Sequence, residues 1–389
     1  MALKSLPVGS IYAAMLLAAC SSGGLVNSEG DPLDSSPASG GQASGTGGGA
    51  TSTGGTDGSE TCDPGAGAPG GEGGALPGGE TAVARHGHLR VEGTQLVGES
   101  GEAVHLRGVS SMWLNWENDG YALNLSGVMF MRDNWGAQVI RAAMGVDVDG
   151  GYATGSKAGM VAQVNQIVEN SETLGMYVIV DFHSHNALEY QAEAIEFFSD
   201  ISARYGHLPN LILEPFNEPL DVSWVNDLKP YHEAVLAAIR ENDPDDHPNV
   251  AILGTPKWDQ EVDDVIGQQL DDPNVMYTTH FYSCDHGASF LAKAKNAHAA
   301  GVPIFVTEWG ATKADGGVMG TPVCGTQADP WLDWMEQEKV GWTAWKLDNC
   351  AYEVDTNGVE DTSCFFKQNA STSGGWTDAD LNGHAPYVI

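Results

Sequence analysis

Two glutamates in the second half of this 389-residue chain stand where a carboxylate can do acid–base or nucleophilic work. Glu218 follows an apolar run in Leu213-Glu214-Pro215-Phe216-Asn217-Glu218-Pro219, and Glu308 closes another in Ile304-Phe305-Val306-Thr307-Glu308-Trp309-Gly310. Two carboxyl groups facing one bond can divide the labour of hydrolysis. One holds a proton for the leaving group while the other stays ionised. Glutamates at strand ends also cap loops and pair with arginine, so the pair alone leaves a structural role equally open. Arg141, His183 and His280 end similar runs. Asp181, His183 and His185 form a D-x-H-x-H run that, with His280, is a rival set of metal ligands.

These residues meet only if a regular scaffold brings strand ends together. Continuous apolar runs, as a buried parallel sheet requires, predict strands at Val104–Val109, Ala137–Ala142, Tyr177–Phe182, Leu211–Phe216, Val250–Gly254, Val275–Phe281, Pro303–Glu308 and Gly341–Lys346. A hairpin is predicted at the start, Leu89–Val97 followed by Val104–Val109. Helices are predicted at Leu125–Trp135, Lys157–Leu174, Leu188–Tyr205, Val222–Glu241, Gln260–Leu270, Ala288–Ala300 and Pro330–Gln337. Strands alternating with helices over about 300 residues predict an α/β fold, a (β/α)8 TIM barrel with an N-terminal β-hairpin. In such a barrel the chemistry lies at the C-terminal ends of the strands, where Arg141, His183, Glu218, His280 and Glu308 fall.

Five motifs in order along this pattern resemble glycoside hydrolase family 5. They are Val139-Ile140-Arg141-Ala142-Ala143-Met144, Val178-Ile179-Val180-Asp181-Phe182-His183, Asn217-Glu218-Pro219, His280-Phe281-Tyr282 and Val306-Thr307-Glu308-Trp309-Gly310. Gly254-Thr255-Pro256-Lys257-Trp258 and Asp271-Asp272-Pro273-Asn274-Val275-Met276-Tyr277 are similar to the bacterial endo-β-1,4-glucanase (cellulase) subfamily in particular. The resemblance implies Glu218 as acid/base and Glu308 as nucleophile of a retaining mechanism, with the two carboxyl groups about 5–5.5 Å apart. It implies that Asn217 binds the sugar 2-hydroxyl, that Arg141 and Tyr282 hold Glu308 ionised, and that His183 and His280 line the reacting subsite and orient both glutamates. A β-1,4-glucan is the implied substrate, with no metal and no cofactor. β-Mannan, glucomannan and mixed-linkage β-glucan are the alternatives on the same mechanism, and a carbohydrate-binding lipoprotein without catalysis is the alternative outside it.

Sugar rings present flat C–H faces that suit tryptophan. Trp116, Trp258 and Trp345 are the expected platforms, Trp345 beneath the reacting sugar, with His185 as a further substrate contact. Trp113, Trp135, Trp224, Trp331 and Trp334 are expected to pack the barrel's outer layer. Three positions depart from the family's pattern. Met112 replaces a histidine, Gly145 replaces a bulky aromatic and is expected to widen the cleft, and the segment Lys346–Ala370 is longer than usual.

The N-terminus has a different character. Lys4 precedes the short apolar run Ile11–Ala19, too brief to span a bilayer and read as an export signal. Leu17-Ala18-Ala19-Cys20-Ser21 resembles the lipobox of bacterial lipoproteins, which implies lipidation at Cys20 and a place at the outer membrane, at the cell surface or released outside the cell. Between Ser21 and Glu80 lie 20 of the 50 glycines and no Lys, Arg, Phe, Trp or Tyr. That stretch cannot bury a core and is expected to be a disordered tether. The expected organisation is a signal peptide at 1–19, a lipidated linker at 20–84 and a catalytic domain at 85–389. Cys62 stands alone in the linker. The four domain cysteines permit three pairings, of which Cys284 with Cys324 and Cys350 with Cys364 are expected because each ties down a long glycine-bearing loop; free thiols are the alternative.

The balance of 17 basic against 52 acidic side chains, a net charge of −35, argues against nucleic acid or an anionic membrane as a partner. No G-x-x-x-x-G-K-[ST] and no G-x-S-x-G motif occurs in the domain, which sets aside phosphate-cradle and serine-hydrolase chemistry. A monomer is expected.

Overall fold

The computed structural model describes residues 79–117, 120–244, 246–314, 323–350 and 362–389. Cys20, Cys62 and the export signal lie outside them. Among the described residues eleven strands run β1 (Arg90–Glu92), β2 (Gln95–Val97), β3 (Arg107–Ser111), β4 (Val139–Gly145), β5 (Tyr177–His183), β6 (Leu211–Glu214), β7 (Val250–Leu253), β8 (Val275–Thr278), β9 (Phe281–Tyr282), β10 (Ile304–Gly310) and β11 (Trp342–Leu347). β3 to β8 follow in sequence order, β10 pairs with β8, and β11 pairs with both β10 and β3. All these pairings are parallel, so the sheet closes on itself as an eight-stranded barrel. The short β9 continues β8 after a break at Thr279 and His280 and pairs with β10.

Period-two alternation turns the barrel interior from oil to charge. Val139, Tyr177, Ile179, Ile212 and Phe305 form one apolar cluster with Leu89, Leu96, Val104 and Leu106, which plugs the N-terminal end. Ile140, Val178, Val180, Leu213 and Val306 belong to a second, larger cluster with helix residues such as Val164, Phe198 and Trp331. Two residues beyond the plug, the inward positions become Arg141, Asp181, Glu214 and Thr307, all fully buried. The strand that carries Glu308 breaks the alternation. The β10–β11 register shifts between Val306 and Trp309, and a bulge of this kind re-aims the next side chain, so that Thr307 and Glu308 both serve the interior.

The helices at Lys157–Leu174 and Ala288–Ala299 match their expected spans, and those at Gln191–Tyr205 and Lys229–Arg240 do so together with the 3-10 turn at Ala187–Tyr190 and the π-helix at Trp224–Leu228 that lead into them. Three elements differ. The first expected segment folds on itself, β1 pairing antiparallel with β2 around Gly93, and the expected pairing with the next segment is limited to its start, where Val97 bridges Ala103 antiparallel and Val104 N–H donates to the Leu96 carbonyl. Gln260–Leu270 contains only a 3-10 turn at Val262–Val265, because the chain leaves it at Gly267 with a φ of 71°. The last long helix begins at Gly325, before Pro330, which it accommodates near its start. Backbone order also reaches back past the expected boundary at 85: Ala82–His86 is a helical turn capped by Thr81, and Val83 N–H donates to Gly175. The expected disulfides are both formed, Cys284–Cys324 and Cys350–Cys364, with Cα separations of 5.3 and 6.0 Å.

Candidate active site

Arg141 organises the floor of the barrel mouth. Its guanidinium is fully buried and donates Nε and Nη2 to the two oxygens of Glu214 at 2.7 and 3.2 Å, Nη1 to Glu308 at 2.9 Å, and Nη2 to Asn217 Oδ1 at 2.6 Å. Asp181 stands 2.9 Å from Nη2. Burial opposes the charge, but three carboxylates around it hold the Arg141 pKa well above its ordinary value. Asp181, buried beside them, is pushed up to about 7 despite Arg141.

Glu308 is gripped on both oxygens. Arg141 takes Oε2, and the Tyr282 hydroxyl donates to Oε1 at 2.5 Å. Both contacts fix the carboxylate in place. Glu218 is held from the opposite side: His280 Nδ1 lies 3.0 Å from Oε1 and His185 Nε2 lies 3.3 Å from Oε2. Burial raises the carboxyl's pKa, yet hydrogen bonds from the two histidines outweigh it and lower the net value. In the same contact His280 is pushed up to about 9 by Asp259, Glu218 and Glu308, although its own burial works the other way. An oxygen of Glu218, an oxygen of Glu308 and a nitrogen of His280 all lie within 4.8 Å of one another. A separation of this size belongs with the shorter of the two glycosidase geometries, not with the roughly 6.5–9.5 Å that leaves room for a water.

The expected residues thus converge, with corrections to their parts. His183 orients neither glutamate. Its Nδ1 lies 2.5 Å from Asp181 Oδ2, and Nε2 is 3.5 Å from Asn217, while burial and Arg141 keep its pKa well below the usual value. His185, expected on substrate, is turned onto Glu218. The D-x-H-x-H run does not converge on one point, because Asp181 and His183 bond each other beside Arg141 while His185 faces Glu218.

Among the tryptophans, Trp116 and Trp258 are 39% and 41% exposed at the rim, as platforms require, whereas Trp345 is only 5% exposed. Met112, Ala143 and Tyr282 pack around Trp345, and its ring lies parallel to His183 at 5.4 Å. Trp113 does not belong to the outer layer. It stacks on Trp116 at 5.2 Å and meets His183 edge-on at 4.1 Å. Nor does Gly145 open the cleft. A Cβ there would fall 1.9 Å from Asn115 Oδ1 and 3.2 Å from the Trp113 ring, so those side chains already occupy the room. The described part of 346–370 turns away toward the helix at 125–135, where Phe366 stacks on Tyr121 at 4.2 Å; residues 351–361 lie outside the described residues.

Residues that the motifs did not single out complete the site: Glu214 and Thr307, reached by counting two residues up from the apolar plug, and Asp259, for which no sequence signal exists.

The family model described as cellulase (glycosyl hydrolase family 5) matches residues 97–351. An endoglucanase from Clostridium saccharobutylicum is 37% identical over 306 residues, covering 78% of this chain and 64% of that protein. The chain therefore spans less than two thirds of the length of this relative. A solved structure from Cytophaga hutchinsonii superposes with a TM-score of 0.73 at 34% identity, covering 79% of this chain and 95% of that one. The catalytic domain of Thermobifida fusca endoglucanase Cel5A superposes with a TM-score of 0.70 at 30% identity, covering 79% and 98%.

Proposed function

This chain belongs to glycosyl hydrolase family 5, and we propose on that premise that it is a retaining endo-β-1,4-glucanase acting inside cellulose-like chains. The observation that carries the reading is the approach of Glu218 and Glu308 to within 4.8 Å across the barrel mouth. Glu308, fixed by Arg141 and Tyr282, attacks the anomeric carbon. Glu218 gives its proton to the departing glycosidic oxygen. The glycosyl–Glu308 ester is then hydrolysed by a water that loses its proton to Glu218, which restores both carboxyl groups. Asn217, aimed by Arg141, offers its amide to the 2-hydroxyl. Trp116 on one side and Trp258 on the other supply exposed faces along which several sugar units lie, which supports an endo-acting cleft. That the relatives are endoglucanases favours β-glucan over mannan.

The same reading places the domain outside the cytoplasm. Leu17-Ala18-Ala19-Cys20-Ser21 supports acylation of Cys20, a tether of glycine-rich chain and a monomeric enzyme at the outer membrane or cell surface, and the two disulfides suit an oxidising compartment.

The test is reducing-sugar release by the protein on carboxymethylcellulose, barley β-glucan and mannan, beside Glu218→Ala and Glu308→Ala. Activity on the glucans, abolished in Glu308→Ala and severely reduced in Glu218→Ala, is the expected result. Mannan preference would overturn the substrate, and inactivity of the folded protein on all three would overturn the assignment.

A further inference from the structure

We propose that Asp259 is a positioning residue that fixes Glu218 and governs where the proton shared by Glu218 and His280 resides. The inference rests on Glu218 being the acid/base of the reaction proposed above.

Asp259 lies just beyond β7, and its side chain is fully buried. Its Oδ1 accepts the Thr255 N–H at 2.5 Å and its Oδ2 accepts the Glu218 N–H at 2.8 Å. Its carbonyl accepts the His280 N–H at 2.9 Å. One residue therefore holds the backbone of both partners in the Glu218–His280 contact. The neighbours extend the grip: Trp258 N–H donates to Pro219 and Lys257 N–H to Leu220, at 2.7 and 3.0 Å. The backbone that makes this possible is unusual. Lys257, Trp258 and Asp259 have φ of 60°, 56° and 58°, and Glu218 has φ of 51°, a left-handed conformation that residues with a Cβ adopt only when their surroundings impose it. The exposed platform Trp258 and the loop of Glu218 are thus parts of one clamped unit.

The proton follows from a hydrogen count. Thr307 Oγ1 is 2.6 Å from Glu214 Oε1 and 2.8 Å from both Thr278 Oγ1 and His280 Nε2. Glu214, paired with Arg141, can only accept, so the single Thr307 hydrogen goes to it and His280 Nε2 must carry the proton it donates to Thr307. His280 Nδ1 then faces two carboxyl groups, Glu218 Oε1 at 3.0 Å and Asp259 Oδ2 at 3.5 Å. With Glu218 as sole counter-charge, an imidazolium requires Glu218 to be ionised and hence useless as an acid. When Asp259 gives up its proton it becomes a second counter-charge, and His280 can then stay charged while Glu218 holds a proton. Burial pushes Asp259 up to about 8, Asp259 and Glu218 bring His280 to about 9 against its burial, and the two histidines hold Glu218 low, so at rest the carboxyl proton of the trio sits on Asp259, from which Glu218 must draw it to act as an acid. Other charged groups surround the trio. Glu308 and Glu214 approach from β10 and β6, His185 and His286 from the loops after β5 and β9, and the Arg141–Asp181 pair lies behind. None of these reaches the Glu218 N–H and His280 together.

The experiment is the pH profile of kcat/KM on carboxymethylcellulose for the full chain and for Asp259→Asn and Asp259→Ala. Asn keeps an acceptor oxygen for the Glu218 N–H and removes the charge. The expected result is an alkaline limb about 1 pH unit lower in Asp259→Asn, with a further loss of kcat in Asp259→Ala. A wild-type limb in folded Asp259→Asn would overturn the proposal. If that variant does not fold, the 15N-histidine spectrum of the wild-type chain decides, with His280 assigned by its loss in His280→Gln. A doubly protonated His280 at pH 7.5 that persists in Glu218→Gln, where Asp259 is the remaining counter-charge at Nδ1, supports the proposal, and a neutral one there overturns it. Inactive wild-type protein would instead count against the reading of the site as a glucanase.

Discussion

Asn115 and Gly145 share one space in the cleft wall: the Asn115 Oδ1 lies 1.9 Å from where a Gly145 Cβ would stand. That oxygen is buried without a hydrogen-bond partner, while the Asn115 amide donates to the Asp149 carbonyl at 3.0 Å. Asn115 is therefore held in place from one end and would have to move for any side chain at 145. Gly145→Ala is expected to cost about 1–3 kcal/mol of stability through overpacking, measured by chemical denaturation, and Asn115→Ala in the same chain should return most of it. Equal stability of Gly145→Ala and wild type would contradict the shared space.

Removing Arg141 strands three buried carboxylates. Arg141→Ala is expected to lose about 3–5 kcal/mol, the scale for breaking a buried ion pair from one side, together with activity. Arg141→Lys keeps the charge but cannot reproduce the bidentate grip on Glu214 with simultaneous bonds to Glu308 and Asn217. Thermal melting should place it between wild type and Arg141→Ala, and a melt of Arg141→Lys equal to wild type would show that the fork is dispensable.

Tyr282→Phe removes one hydrogen bond to a carboxylate and almost no volume. A charged hydrogen bond contributes about 1.5–3 kcal/mol, and the same loss felt in the transition state lowers kcat about 10- to 100-fold. Unchanged kcat would remove Tyr282 from the grip on Glu308.

The stability of the domain should decline from pH 6.5 to 9. Burial raises Asp181 to about 7 and Asp259 to about 8, and neighbouring carboxylates raise His280 to about 9 over its burial. Each of these binds its proton more tightly in the folded chain, so the contribution of His280 is complete below about 6.5 and is lost as pH rises through about 9, with the aspartates fading earlier. His232 and His384 are lowered to about 4 by burial and act oppositely, but their contribution is complete above about 6.5 and is lost only as pH falls through about 4. A melting temperature that rises between pH 6.5 and 9 would contradict this balance.

The barrel and most of the candidate site were legible because each strand carries its own signal, an apolar run ending in a polar residue that must face the mouth. What escaped was set by neighbours distant in sequence. Trp113 reads as one more loop tryptophan, and only the absence of a side chain at Gly145, on the adjacent strand, gives its ring a place beside His183. Asp259 is an ordinary acidic residue in sequence; three successive positive φ angles bury it, and no local pattern announces them. Gln260–Leu270 carries apolar residues at helical spacing, but Val262 and Val265 bury themselves from a single turn. Glu308 was found for its position at a strand end, although the bulge in β10 is what aims it.

The central claim is that Glu218 and Glu308 act across a gap too short for an intervening water and therefore retain configuration. Proton NMR of the anomeric signals during hydrolysis of a soluble cello-oligosaccharide tests it directly. The β-anomer should form first and then mutarotate. First formation of the α-anomer would contradict the account.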